Sequence, residues 1–160
     1  MTAARLRFRQ ILDDADPARL RALVKATGVF SAEEVKMAGE LAETTLDGTE
    51  TYRWLLAEAD GALVGYTCFD RIYFTKGGFD LFWIAVLPDR RGTGLAKELM
   101  DRTVKFIRGK KGVQIFAETS SREPYAAARA FYLRAGFVEA ARLEDFYEPG
   151  DDKVIYRLKL

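Results

Sequence analysis

The stretch Phe79-Asp-Leu-Phe-Trp-Ile-Ala-Val86-Leu-Pro88-Asp-Arg-Arg91-Gly-Thr-Gly94-Leu-Ala96 decides how the rest of the chain is read. From Phe79 to Val86 it is almost unbroken in its apolar character. A strand apolar on both faces belongs in the middle of a sheet covered by helices. Pro88 stops it, because proline cannot donate to a ladder. A short loop, Asp89 to Thr93, then opens a helix from about Gly94, whose apolar positions Leu95, Leu99, Met100, Val104 and Ile107 lie at helical spacing. Glu98 with Arg102, and Asp101 with Lys105, form favourable i,i+4 pairs on its outer face.

Working outward, Gly109 and Gly112 end that helix and Val113 to Ala117 reads as another buried strand. Pro124 starts a helix that Gly136 stops, and strands Phe137 to Tyr147 and Val154 to Leu160 follow. Upstream, Leu6, Phe8 and Gln10 alternate with Arg5, Arg7 and Arg9 as a first strand. Asp16-Pro17 reads as an N-cap and first helical position of a helix toward Val24 that Gly28 ends. Ser31 and Glu34 form a capping box for a helix through Val35, Ala38 and Leu41. Tyr52-Trp54-Leu56 and Val64-Tyr66-Cys68 flank an Asp60-Gly61 turn, a hairpin signal, and a second turn falls at Lys76-Gly77-Gly78. The order predicts an α/β (mixed α+β) fold in a single domain, residues 1–160, with a largely antiparallel sheet and a parallel portion at its centre.

Composition removes whole classes of chemistry. The chain has 160 residues, no histidine and one cysteine. Ser-His-Asp and Cys-His catalysis are therefore impossible, as are a His-x-x-x-His zinc pair and an intrachain disulfide. With 25 basic and 24 acidic residues, the chain has no bulk attraction for nucleic acid or an anionic membrane, and neither is an expected partner. The N-terminal stretch lacks an apolar h-region, so no signal peptide is expected. No apolar run approaches the roughly 20 residues of a membrane span. Together with the lone Cys68, this makes the cytoplasm the expected compartment.

Two places can carry chemistry. Gly92, Thr93 and Gly94 precede a helix whose first N–H groups have no internal partner and whose dipole end is positive; with Arg90 and Arg91 this is an anion site. It is neither a Walker A loop nor a dinucleotide fingerprint, and alone it reads first as an ordinary strand-to-helix turn. The second place is the helix bearing Tyr125, Ala128 and Tyr132 on one face. A positioned phenol can protonate a leaving thiolate, although Phe131 and Tyr132 taken alone read first as core aromatics.

In combination these motifs resemble the GNAT superfamily of acyl-CoA-dependent N-acetyltransferases. Its signature, Gln/Arg-x-x-Gly-x-Gly/Ala, is matched by Arg91, Gly94 and Ala96, and its later Phe/Leu-Tyr pair followed by Gly-Phe by Phe131-Tyr132 and Gly136-Phe137. The resemblance implies a sheet of about seven strands flanked by about four helices. It implies acetyl-CoA as co-substrate, with no metal. The pyrophosphate would be received by the amides of Arg91, Gly92, Thr93, Gly94, Leu95 and Ala96, and pantetheine would pair with Ile84, Ala85 and Val86. Tyr132 would protonate the departing sulfur. Glu118, matching a glutamate of the ribosomal-protein N-terminal acetyltransferases, would serve as base directly or through water, with Asp80 as its rival; either also reads as a solvated strand-end carboxylate. The acceptor would be a small-molecule or peptide amine, and the resemblance allows a homodimer formed by strand exchange or edge pairing. Many members carry asparagine where this chain has Tyr125, and the loop Thr119 to Pro124 is slightly longer than in the ribosomal branch.

Other residues keep two readings. Cys68 is a carrier of acetyl in a ping-pong mechanism or an inert core thiol, the latter favoured by its apolar strand. Glu144, Asp145, Glu148, Asp151 and Asp152 attract a cationic acceptor or simply line a solvated turn. Trp83, Phe146 and Tyr147 line an acceptor pocket or pack. The competing functions are an acyl-CoA-binding regulatory module without turnover and an interaction domain without a ligand.

Overall fold

Among the described residues, seven strands and four helices follow one another as β1 (Leu6–Arg9), α1 (Asp16–Ala26), α2 (Ala32–Leu46), β2 (Arg53–Ala59), β3 (Ala62–Arg71), β4 (Gly78–Val86), α3 (Leu95–Gly109), β5 (Gln114–Ser120), α4 (Ala126–Arg134), β6 (Val138–Glu148) and β7 (Asp151–Lys159). Single 3₁₀ turns occupy Pro88–Arg90 and Glu123–Tyr125. The structure, a computed structural model, describes residues 5–160; the first four residues of the N-terminal stretch read against a signal peptide lie outside them. The strands form one sheet in the order β1-β2-β3-β4-β5-β7-β6. The ladders β1–β2, β2–β3, β5–β7 and β6–β7 are antiparallel, and β4–β5 is parallel. This is the mixed, mostly antiparallel α/β arrangement that the sequence predicts. Among the described residues no helix is long and apolar enough to cross a membrane.

By contacts the chain divides into two compact units, Met1–Asp70 with Trp83–Thr103 and Arg71–Phe82 with Val104–Leu160. In the first, one face of the β2–β3 hairpin packs Trp54, Leu56, Tyr66 and Cys68 against Leu20, Leu23 and Val24 of α1 and Ala38 and Ala42 of α2. The other face packs Leu55, Ala57 and Val64 against Leu95 and Leu99 at the start of α3. Gly65 is required there by close approach: a Cβ on it would stand 3.0 Å from Leu99 Cδ1 and Val86 Cγ1. Buried hydroxyls of Thr67 and Thr103, 2.8 Å apart, satisfy one another between β3 and α3. In the second unit, β4 and β5 pair from Gly78↔Gln114 to Leu81↔Ala117. Beyond Ala117, β5 continues to Ser120 against β7, with Glu118 opposite Ile155 and Ser120 opposite Lys153.

Local signals hold where only neighbours in sequence decide them. The capping box forms as expected, Ser31 Oγ accepting from Glu34 N–H and Glu34 accepting from Ser31 N–H. Asp16 does not cap α1. The helix begins at Asp16 itself after Ala15, without a side-chain cap. Its carboxylate instead accepts two 2.6 Å hydrogen bonds from the Arg9 guanidinium, plus one from Asp13 N–H at 2.8 Å. Arg9 Nε also donates to Glu58 at 2.8 Å, so one guanidinium ties β1 to α1 and β2. On α3, Glu98 and Arg102 pair as expected, but Asp101 pairs with Lys97 at 2.6 Å rather than with Lys105. Two further boundaries move: β5 runs on through Ser120, and the helix expected at Pro124 opens as a 3₁₀ turn before α4.

The Asp16 carboxylate is fully buried. Burial opposes its ionisation, but the hydrogen bonds from Arg9 and Asp13 and the charges of Arg9 and Arg19 hold its carboxyl below the usual range. A charge so placed is costly to strand, so Asp16→Asn, which leaves Arg9 half-paired, should lower stability by about 3 kcal/mol at neutral pH. The readout is a lower urea midpoint with an unchanged slope. Because the folded carboxyl titrates below its unfolded value of about 3.9, its contribution is complete above that pH and fades as pH falls through the folded value. The wild type should therefore lose stability in that acid window, and the variant should show a flatter profile there.

Candidate active site

After Pro88 the backbone makes a 3₁₀ turn closed by Arg91 N–H donating to Pro88 O at 3.2 Å. Thr93 Oγ1 then donates to Arg90 O at 2.5 Å. Gly92 and Gly94 take φ of +74° and +85°, the left-handed region that glycine enters without steric cost. The first backbone bond into α3 is Glu98 N–H to Gly94 O, so the amides of Leu95, Ala96 and Lys97 have no acceptor within the helix. No side chain plugs the turn. Residues 91–94 are exposed, and a Cβ on Gly92 or Gly94 would meet nothing within 4 Å. These features fit a diphosphate: open approach, free donors and the positive end of a 15-residue helix. The Leu95 side chain packs in the core with Leu99 while its amide stays among the leading donors. The Arg91 guanidinium donates to Thr27 O at the C-terminal end of α1, where a cation complements the helix dipole. Ile84 and Val86 pack on the Leu55–Leu99 cluster and Ala85 on the opposite one.

Tyr132 lies on α4 and is buried, its ring 5.4 Å from Phe137, 5.5 Å from Tyr156 and 6.0 Å from Phe131. Burial first, then the neighbouring Tyr156, pushes its phenol well above the ordinary range, so it keeps its proton. Tyr125, expected on the same helical face, sits at the N-cap of α4. The turn before α4 is tied to β5: Arg129 donates to Ser120 O and Arg122 O, both at 2.8 Å.

Glu118 lies inside β5, not at its end, and its side chain is half exposed. Its partner is Lys153 of β7, whose Nζ stands 2.9 Å from Glu118 Oε2. Sequence reasoning missed this partner, since only the β5–β7 register brings Lys153 to Glu118. Asp80, the rival base, occupies the paired part of β4 opposite Phe116. Cys68 is fully buried, and burial followed by Asp70 pushes its thiol well above the ordinary range. That setting disfavours the thiolate a ping-pong carrier needs.

The acidic residues of the β6–β7 hairpin are mostly engaged in building it. Asp151 accepts from Ser120 Oγ. Asp152 accepts from Asp145 N–H and Arg142, Asp145 accepts from Gly150 N–H, and Glu148 pairs with Arg122. Trp83 packs 5.0 Å from Phe30 and against the first core cluster. Phe146 and Tyr147 meet edge to face at 5.0 Å. Among the described residues no group of three or more metal-ligating side chains is placed to hold an ion.

Comparison with known proteins places this geometry. The model of the acetyltransferase (GNAT) family matches residues 10–137. A solved structure assigned to the GNAT family, from Desulfovibrio desulfuricans, is 39% identical, covers 97% of this chain and 99% of its own, and superposes with a TM-score of 0.93. An N-alpha-acetyltransferase MAK3 of Arabidopsis thaliana is 38% identical over 79 residues, 48% of this chain and only 38% of that relative's length. An acetyltransferase of Salmonella typhimurium, solved with its cofactor acetyl-CoA, shares the fold at 20% identity and a TM-score of 0.73, over 97% of this chain and 94% of its own. The family model spans most of the sequence and the solved relative nearly all of it, and the chain belongs to the GNAT acetyltransferase family.

Proposed function

We propose that the chain, acting as one acyltransferase domain, moves the acetyl group of acetyl-CoA directly to a primary amine in a ternary complex, without a covalent enzyme intermediate. The observation that carries this reading is the open turn at Gly92–Gly94, with the unpaired leading amides of α3 behind it. Arg91 to Ala96 would hold the pyrophosphate through their amides, and the backbone of Ile84 to Val86 would pair with pantetheine. The buried, protonated phenol of Tyr132 is the acid. It gives its proton to the departing thiolate as the C–S bond breaks and the N–C bond forms. Glu118 takes the proton that the ammonium acceptor must lose before it attacks, and the second proton, shed by the nitrogen as the amide forms, restores the Tyr132 phenol. Engagement of the hairpin acids in local bonds leaves little free charge there for steering, so recognition of the acceptor falls to contacts near Glu118. The reaction needs no metal, and we place it in the cytoplasm.

Burial of Tyr132 among three aromatic rings also suits a domain that binds the thioester without turnover, and kinetics separate the two. Tyr132→Phe should reduce kcat by about 10²–10⁴-fold, the range for loss of a general acid, while CoA affinity by calorimetry stays within threefold. An unchanged kcat would leave Tyr132 a core residue only. Glu118→Gln should reduce kcat/KM at neutral pH and regain part of it at alkaline pH, where a lysine-type amine of pKa about 10.4 deprotonates unaided. Gly94→Val, which strains a φ of +85° and fills the open side of the turn, should weaken CoA binding tenfold or more. Equal binding would remove the turn from the site.

A further inference from the structure

Lys153 occupies an unusual position for an ammonium group. Its side chain is only 16% exposed, although ammonium is strongly hydrated and lysine is rarely buried unless paired. Three groups replace its water. Glu118 Oε2 lies at 2.9 Å, the Phe146 ring centroid at 3.9 Å and the Tyr147 ring centroid at 5.9 Å. The two rings stand at 85° to one another, and both centroids lie within 6 Å of the cation. Register fixes the arrangement: Lys153 pairs with Ser120 on one flank and Leu143 on the other. The end of β5 is further clamped by Asp152 N–H donating to Ser121 Oγ at 2.8 Å and Ser121 N–H donating to Asp152 O at 2.9 Å. A carboxylate with aromatic faces is the donor set that recognises an alkylammonium ion, the rings attracting charge through their quadrupoles.

We propose that Glu118, Phe146 and Tyr147 form the binding site for a linear aliphatic ammonium acceptor, R–CH₂–NH₃⁺, and that Lys153 is an internal placeholder which the acceptor displaces. The proposal rests on the reading of Glu118 as the acceptor's base. In the cage the incoming nitrogen contacts the carboxylate that receives its proton, and the methylene next to it lies along the rings. An acceptor with a carboxylate beside its amine would set that charge against Glu118, so free α-amino acids are disfavoured. A tethered lysine competes at an effective concentration of roughly millimolar order. Its removal should therefore be visible as tighter binding of a free ammonium.

The test titrates n-butylammonium into the full-length chain and follows the aromatic NMR signals of Phe146 and Tyr147. Lys153→Met keeps the aliphatic stem and removes the charge. It should bind n-butylammonium at least tenfold more tightly than the parent, and adding Phe146→Leu should abolish that gain. If Lys153→Met does not fold by circular dichroism, Lys153→Gln supplies the same comparison and should show the same gain. No gain in a folded variant overturns the proposal and leaves Lys153–Glu118 an internal ion pair. CoA titrated into the same samples keeps the two readings apart. Failure to bind CoA would sink the acetyl-transfer reading whatever n-butylammonium does.

Discussion

Parallel strands cannot be joined by a hairpin, and the constraint imposed by β4 and β5 shapes the rest of the chain. A parallel pair needs a crossover of a dozen residues or more, supplied here by Pro88 to Gly112 with α3 at its centre. A crossover helix must start just after the first strand ends, and a helix start leaves amides that the helix cannot satisfy. The sequence answers with glycines at the two left-handed positions and a proline ahead of them, not with a capping side chain. α2 meets the same need with Ser31 and Glu34. The contrast is informative: one helix closes its own N-terminus and the other leaves it open to solvent, and the open one carries the family signature.

That division also explains what was legible beforehand. The apolar run Phe79–Val86, the turn after it and the capping box depend on a few consecutive residues and form the strand, turn and cap their spacing implies, except that Phe82 in the strand is exposed rather than covered. Asp16 was misread as a cap because a guanidinium seven residues upstream offers its carboxylate a charge-assisted bidentate bond, stronger than a backbone cap. Asp101 had cations at both i−4 and i+4, and spacing alone does not choose between them. Lys153 was invisible for a different reason. Its partner Glu118 lies 35 residues away, and only the antiparallel β5–β7 register, read with the side-chain alternation of two strands, brings the pair together.

In the acid role proposed for it, Tyr132 shows why burial and chemistry need not be opposed. Phe137 and Tyr156 fix its ring as they would any core aromatic. The same desolvation pushes the phenol upward and keeps the proton in place. An exposed tyrosine would be equally protonated at neutral pH but free to rotate and fully hydrated. What packing adds is orientation and a dry surrounding, the two conditions under which one proton donor lowers a barrier appreciably. The buried Cys68 shows the opposite consequence of the same physics. Desolvation suppresses the thiolate, so the burial that keeps the Tyr132 phenol protonated removes the nucleophilic form of the Cys68 thiol.

A carboxylate that is to accept a proton from an ammonium ion has to meet it as an ion, and holding an ion half-buried is costly without a counter-charge. Glu118 has that counter-charge in Lys153 when no acceptor is bound. Exchange of one ammonium for another conserves the charge of the cage. On the proposed exchange, the acceptor would enter without first stripping water from a bare carboxylate, and the aromatic faces that hold the lysine would hold its replacement. A neutral or anionic amine offers no such exchange. It would have to expel Lys153 and leave the glutamate uncompensated. On this argument selectivity comes from the ion that the acceptor replaces as much as from the contacts it makes.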